Sequence, residues 1–186
     1  MPRQSVTSGD RAPDYLDSWK DGALRSGSPG SHDGNPGFTF FGSRLRPFHP
    51  GTEGVRRILT DARVVAVVGF SAKPHRFSHA IAVYLAAQGY RVWGVNPLLA
   101  DQTLAGIPIV ATVQDVPEPV DLVDVFRRSD QVAPIAQDAI AAGARVFWMQ
   151  DGVIDPASAR LAQRAGLEVV MDDCTLRRHR QLGLAR

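Results

Sequence analysis

Six short apolar runs punctuate the chain from residue 63 onward: RVVAVVGF (63–70), RVWGVN (91–96), IPIV (107–110), VDLVDVF (120–126), RVFWMQ (145–150) and LEVVM (167–171). The first is nearly continuous and valine-rich, as parallel strands buried on both faces tend to be. Residues at helical spacing precede the first run and separate several of the others. Val55, Ile58, Leu59 and Ala62 follow Thr52, a residue type suited to capping a helix start. Ile81, Tyr84 and Leu85 share one side of a second helix that stops at Gly89. Ser129 is placed to cap a third, whose stripe is Val132, Ile135, Ala136, Ala139 and Ile140. Asp155-Pro156 pairs a capping residue with proline at the first helical position of a fourth, which ends at Gly166, and a terminal helix follows the last run. Strands alternating with helices of this length need right-handed crossovers and a covered parallel sheet. The predicted fold is α/β: a Rossmann-like, doubly wound parallel sheet of about five to six strands with helices on both faces.

Residues 1–50 follow different rules. DGALRSGSPGSHDGNPG (21–37) is rich in Gly, Ser and Pro without apolar period, which predicts a flexible, disordered N-terminal arm ahead of a folded domain at 51–186. No repeat of fixed period is visible. No apolar run reaches membrane-spanning length, and MPRQSVTSGD offers no signal-peptide core, so the expected compartment is the cytoplasm. The single cysteine, Cys174, suits a reducing compartment. A net charge of +2 is too small to indicate a nucleic-acid partner, and the arginine-rich end TLRRHRQLGLAR reads as a solvated helix face.

In open parallel sheets, ligands lie beyond the carboxyl ends of the strands, where strand order reverses. That rule selects the 69–78 loop, Asn96-Pro97, Val110-Ala111-Thr112, Phe126-Arg127-Arg128 and Gln150-Asp151-Gly152. The first loop, GFSAKPHRFS, has the richest chemistry. Gly69 permits a tight exit from the strand, Ser71 and Ser78 bring hydroxyls, Lys73 and Arg76 bring charge, and a helix starting near Ser78 points N–H groups into the crevice. Together these suit a phosphate or pyrophosphate.

The same loop departs from familiar fingerprints. Ser71 and Pro74 occupy the later glycine places of G-x-G-x-x-G, and no G-x-x-x-x-G-K-[ST] is present. The second strand ends in Asn96 where NAD enzymes usually offer a carboxylate to the ribose. Arg127 is equally suited to a phosphate and to a surface salt bridge, and Arg128 better to the salt bridge, with Asp124 or Asp130 as partner. Gln150 and Gly152 would turn after the fifth strand and line the site with an amide and backbone groups. His75 and His79 flank the first loop, where surface positions are the commoner explanation. Cys174, near Asp172, Asp173 and His179, is a nucleophile only with a base in hydrogen-bond reach, and buried inert thiols are commoner. No catalytic residue and no metal site is predicted.

These residues resemble a known family, the small stand-alone CoA-binding proteins, related to the N-terminal CoA-binding domain of the succinyl-CoA synthetase alpha subunit. The resemblance covers about residues 52–183. VVAVVGFSAKPHRFSHAIAVYLAAQGYRVWGVNP is similar to that family's first strand, loop, helix and second strand, and VDLVDVFRRSD, WMQDGVID and AGLEVVMDDC to its later blocks. It implies CoA as ligand, with Gly69, Ser71, Lys73 and Ser78 holding phosphates, Asn96 and Pro97 bordering the nucleotide, and Phe126 and Arg127 forming the far wall. Asp151 stands where the family more often has an apolar residue, and Asp173 where it often has arginine. The resemblance does not imply ligase activity, because the synthetase needs a further domain with a phosphorylated histidine and a partner subunit. The expected function is binding of CoA or an acyl-CoA without catalysis. The alternatives are an enzyme, as an NAD(P)-dependent oxidoreductase-like dinucleotide binder or an acyl-CoA transferase, and a regulatory scaffold with an empty nucleotide site.

Overall fold

The computed structural model describes residues 48–184. The expected flexible arm lies, up to residue 47, outside the described residues. Among the described residues the α-helices are α1 (Gly51–Asp61), α2 (Phe77–Ala87), α3 (Val132–Ala141), α4 (Pro156–Arg164) and α5 (Thr175–Gln181). The strands among the described residues are β1 (Val64–Val68), β2 (Arg91–Val95), β3 (Thr103–Leu104), β4 (Ile107–Val110), β5 (Leu122–Val125), β6 (Val146–Met149) and β7 (Glu168–Val170). They form one sheet in the order β3-β4-β2-β1-β5-β6-β7. Six of them pair in parallel, and only the β3–β4 hairpin is antiparallel. The six parallel strands coincide with the six apolar runs. β3 is the addition, a two-residue strand in the β2–β4 connection.

β1 sits at the centre of the sheet, and all five of its residues are buried. Its side chains alternate between two cores. Val64, Ala66 and Val68 join the α3 and α4 side with Val132, Ala136, Ala159 and Ala162. Val65 and Val67 join the α1 and α2 side with Ile58, Leu59, Ile81 and Leu85. Both faces of the strand are therefore covered, which is why its sequence shows no polar alternation.

The caps differ in part from expectation. Asp155 accepts hydrogen bonds from the Ala157 and Ser158 N–H groups ahead of Pro156, as the sequence indicates. Gly89 and Gly166 adopt positive φ just after α2 and α4, as terminating glycines do. Thr52 does not cap α1, because the helix already begins at Gly51 behind Pro50. Ser129 does not cap α3 either. It opens a short 3-10 turn, and its hydroxyl accepts from the Ile154 N–H at 2.9 Å and donates to the Gly152 carbonyl.

Gly94 of β2 exists for want of space. A Cβ there would lie 2.9 Å from Phe70 Cγ and 3.1 Å from Ile109 Cγ1. Phe70 is fully buried directly after β1 and forms the bed of the first loop. Gly94→Ala is expected to lower unfolding free energy by about 1–3 kcal/mol through overpacking, read as a lower urea midpoint with unchanged slope.

Candidate functional site

The chain runs outward in opposite directions from β1: through β2 and β4 on one side, and through β5, β6 and β7 on the other. The carboxyl ends of β1 and β5 thus bracket the reversal of strand order. A cleft of about 570 Å³ opens there, inside the range of about 300–1,000 Å³ common for ligand clefts. Gly69, Ser71, Lys73, Ser78, Asn96, Phe126 and Gln150 line it, seven of the ten expected residues. Pro97, Arg127 and Gly152 do not, and all three are exposed beside it.

Gly69 has φ +86, and a Cβ on it would meet Arg127 Cδ at 2.9 Å and the Phe126 carbonyl at 3.3 Å. Only glycine lets the chain leaving β1 pass so close to the chain leaving β5. Arg127 consequently lies along Gly69 instead of lining the cleft. Arg128 donates to Asp130 at 2.7 Å, as expected of a surface pair. Asp124, the other expected partner, pairs with neither arginine.

The loop that follows is held from below. The His79 Nδ1–H donates to the Ser71 carbonyl at 2.8 Å, and its ring stacks on Phe70 with centroids 5.3 Å apart. His79 is therefore a buried strut. His75 is exposed and outside the lining. Asn96 ties β2 to the same loop: its Nδ2 donates to the Phe70 carbonyl at 2.8 Å and its Oδ1 accepts from the Leu98 N–H at 3.0 Å. No side chain caps α2 and its first turn holds no acid, so its N-terminal dipole faces the cleft uncompensated. Lys73 and Arg76 stand exposed at this lip.

Phe70, Ala72, Phe77, Leu98, Leu99 and Val153 complete the apolar part of the lining. Phe77 is 53% and Leu98 88% exposed, unusual for residues of that size. Sequence reading passes over them because a phenylalanine at a helix start and a leucine pair after a strand look like ordinary packing residues. Their signal is position, beside the chosen loops.

Beneath the far lip lies a buried polar group. Asp124 is fully buried in β5. Gln150 Nε2 donates to Asp124 Oδ1 at 2.7 Å and to Thr175 Oγ1 at 2.6 Å, and the Thr175 hydroxyl donates to Asp124 Oδ2 at 3.0 Å. Burial pushes the Asp124 carboxyl up to about 7, against the opposing pull of those hydrogen bonds. A carboxylate inside an otherwise apolar strand run is the sequence signal for it.

The two carboxylates that the sequence resemblance sets apart, Asp151 and Asp173, are both paired with cations. Asp151 lines the cleft and forms a bidentate pair with Arg177. Arg177 also donates to Asp173 Oδ1 at 2.7 Å, Arg178 Nε to Asp173 Oδ2 at 2.6 Å, and His49 Nε2 to the same oxygen at 2.8 Å. Burial alone would raise the Asp173 carboxyl, but the hydrogen bonds from His49, Arg178 and Arg177 outweigh it and hold it below the usual range. Cys174 is buried, and burial pushes its thiol up to about 11, so the thiol is protonated at neutral pH. Among the described residues, no group of three His, Cys, Asp or Glu side chains is placed to hold a metal ion, and no helix is long and apolar enough to cross a membrane.

Fold and cleft together define a Rossmann-like domain with a cationic lip at its switch point. The family model described as CoA binding domain matches residues 63–180. The chain belongs to the CoA binding domain family, as the resemblance in its sequence indicates. It is 33% identical over 126 residues to the uncharacterized protein YneT of Bacillus subtilis (strain 168), an alignment covering 68% of this chain and 92% of that one. A hypothetical protein from Pyrococcus horikoshii OT3 has a similar structure, with a TM-score of 0.72 and 30% identity, covering 76% of this chain and 99% of the other. So does the cell-free ID.343 protein of Thermus thermophilus, with a TM-score of 0.68 and 34% identity, covering 71% and 98%.

Because Asp124 titrates near 7 when folded and near 3.8 otherwise, the folded state holds the extra proton between those values. Its contribution is fully present below about pH 4 and is lost as pH rises through 7. Relative to Asp124→Asn, the wild type should lose about 1 kcal/mol of stability per pH unit between pH 4.5 and 6.5, measured by urea unfolding across that range. Parallel pH profiles of the two proteins would contradict this.

Proposed function

We propose that the domain binds CoA or an acyl-CoA through its phosphates at the 69–78 loop and performs no chemistry of its own. One observation carries the reading: the uncapped N-terminus of α2 faces a cleft whose same lip bears Ser71, Lys73, Arg76 and Ser78. Backbone N–H groups, hydroxyls and two flexible cations suit a diphosphate and a ribose phosphate, and the adjoining apolar surfaces of Phe77 and Leu98 suit a base. Family membership supports a CoA-type ligand on independent grounds.

The reading as a binder without chemistry is supported by how three titratable groups near the cleft are engaged. His79 is tied to Ser71, Asp151 to Arg177, and the Cys174 thiol is protonated. A dinucleotide is less well served, since both ends of the Asn96 amide are engaged by backbone and no carboxylate replaces it at the end of β2.

Titration calorimetry with CoA and with NAD examines this directly. Wild type is expected to bind CoA saturably and more tightly than NAD. A Lys73→Ala, Ser78→Ala double variant should lose at least about tenfold in CoA affinity, the loss of one charged contact being worth about 1.4 kcal/mol or more. Absence of CoA binding by folded, ligand-free protein would move the weight to a regulatory scaffold, and tighter binding of NAD would favour the dinucleotide reading.

A further inference from the structure

The cleft has two unlike lips. Strand order along its edge runs from β2, bearing Asn96, Leu98 and Leu99, through the loop after β1, then Phe126 after β5, to Gln150, Asp151 and Val153 after β6. The cations Lys73 and Arg76 stand on the β1 side, and the β6 side offers a carboxylate and an amide. Phosphates placed over the loop leave an uncharged part of the ligand to cross two strand intervals, about 10 Å, to reach β6.

Gln150 is what it meets there, and this glutamine is not free to turn. It is 4% exposed, both hydrogens of its Nε2 are committed to Asp124 and Thr175, and Asp124 and Thr175 are themselves fully buried. An ionised Asp124 only accepts, so it admits the Gln150 amide in one orientation, and Oε1 is the atom the side chain can offer to the cleft. An acceptor fixed in this way selects an N–H donor, and leaving such a donor unmatched, or the acceptor dry, costs affinity.

We propose that Gln150 sets specificity for the neutral arm of the ligand: Asp124 and Thr175 lock its amide so that Oε1 accepts an amide N–H from a pantetheine-type arm. The inference rests on the CoA-type reading above. Phe126 and Val153 flank this path and give the arm's apolar carbons a surface. Gln150 is the binding residue, and Asp124 and Thr175 are positioning residues.

Calorimetry at pH 8 with two probes separates the possibilities: CoA, and 3′-phospho-ADP, which keeps the base and every phosphate but lacks the pantetheine arm. Wild type is expected to prefer CoA by about tenfold or more, a difference of about 1.4 kcal/mol. Gln150→Met should lower CoA affinity about tenfold while leaving 3′-phospho-ADP within about twofold. Thr175→Val should reduce the preference, and Thr175→Ser, which keeps the hydroxyl, should restore it, a pattern that a general loss of stability would not produce. Equal loss on both probes would overturn the proposal, since the donor would then lie in the nucleotide half or the effect would be structural. Equal affinity of wild type for the two probes would overturn it without any variant and leave the CoA-type reading intact. Failure of wild type to bind either probe would remove both.

Discussion

Everything in this domain is organised around β1, a five-residue strand with no exposed side chain. Because it is buried on both faces and hydrogen-bonded on both edges, it must lie in the middle of the sheet. Its neighbours β2 and β5 then carry the chain away in opposite directions, and a crevice at the carboxyl end of β1 is unavoidable. Gly69 is the point of greatest constraint, because the exit from β1 and the exit from β5 converge within side-chain contact. The residues that build the core thereby place the loop that builds the site.

The site's polar chemistry is supported in layers. The loop at the cationic lip stands on Phe70 and His79, and the opposite lip stands on Asp124 and Thr175. Asp151 would weaken attraction for an anion if it were unpaired, but Arg177 engages it and simultaneously engages Asp173. The carboxylates at 151 and 173 thus act as one unit with the arginines of α5. His49 extends this unit to the segment ahead of α1: the Gly51 N–H donates to its Nδ1, so its Nε2–H is the group that reaches Asp173.

Much of this was legible in the sequence, and for physical reasons. Strands buried on both faces cannot alternate polar and apolar residues, so valine-rich runs between helical stretches disclosed all six parallel strands. β3 left no comparable trace, since two residues, Thr103 and Leu104, are held only by a hairpin at the sheet's edge. Thr52 and Ser129 misled as caps because a hydroxyl residue near a helix start has other uses: Ser129 fastens the 152–154 turn. The switch-point rule located Gly69, Ser71, Lys73, Ser78, Asn96, Phe126 and Gln150 without coordinates. It also picked out Pro97, Arg127 and Gly152, which lie exposed beside the cleft and not in its lining, because strand-end position fixes only the neighbourhood of a residue. Asp124 was the deepest omission. Its carboxylate looked like a salt-bridge partner for an adjacent arginine, whereas it is fully buried in β5 and hydrogen-bonded to Gln150 and Thr175.

A crystal structure of the protein grown with CoA bears on all of these relations at once. The diphosphate is predicted to lie at the start of α2, within hydrogen-bond distance of backbone N–H groups of the 71–78 segment and in reach of Lys73 and Arg76. CoA bound with its phosphates away from this loop, or on another face of the sheet, would contradict the assignment of the switch-point cleft as the ligand site.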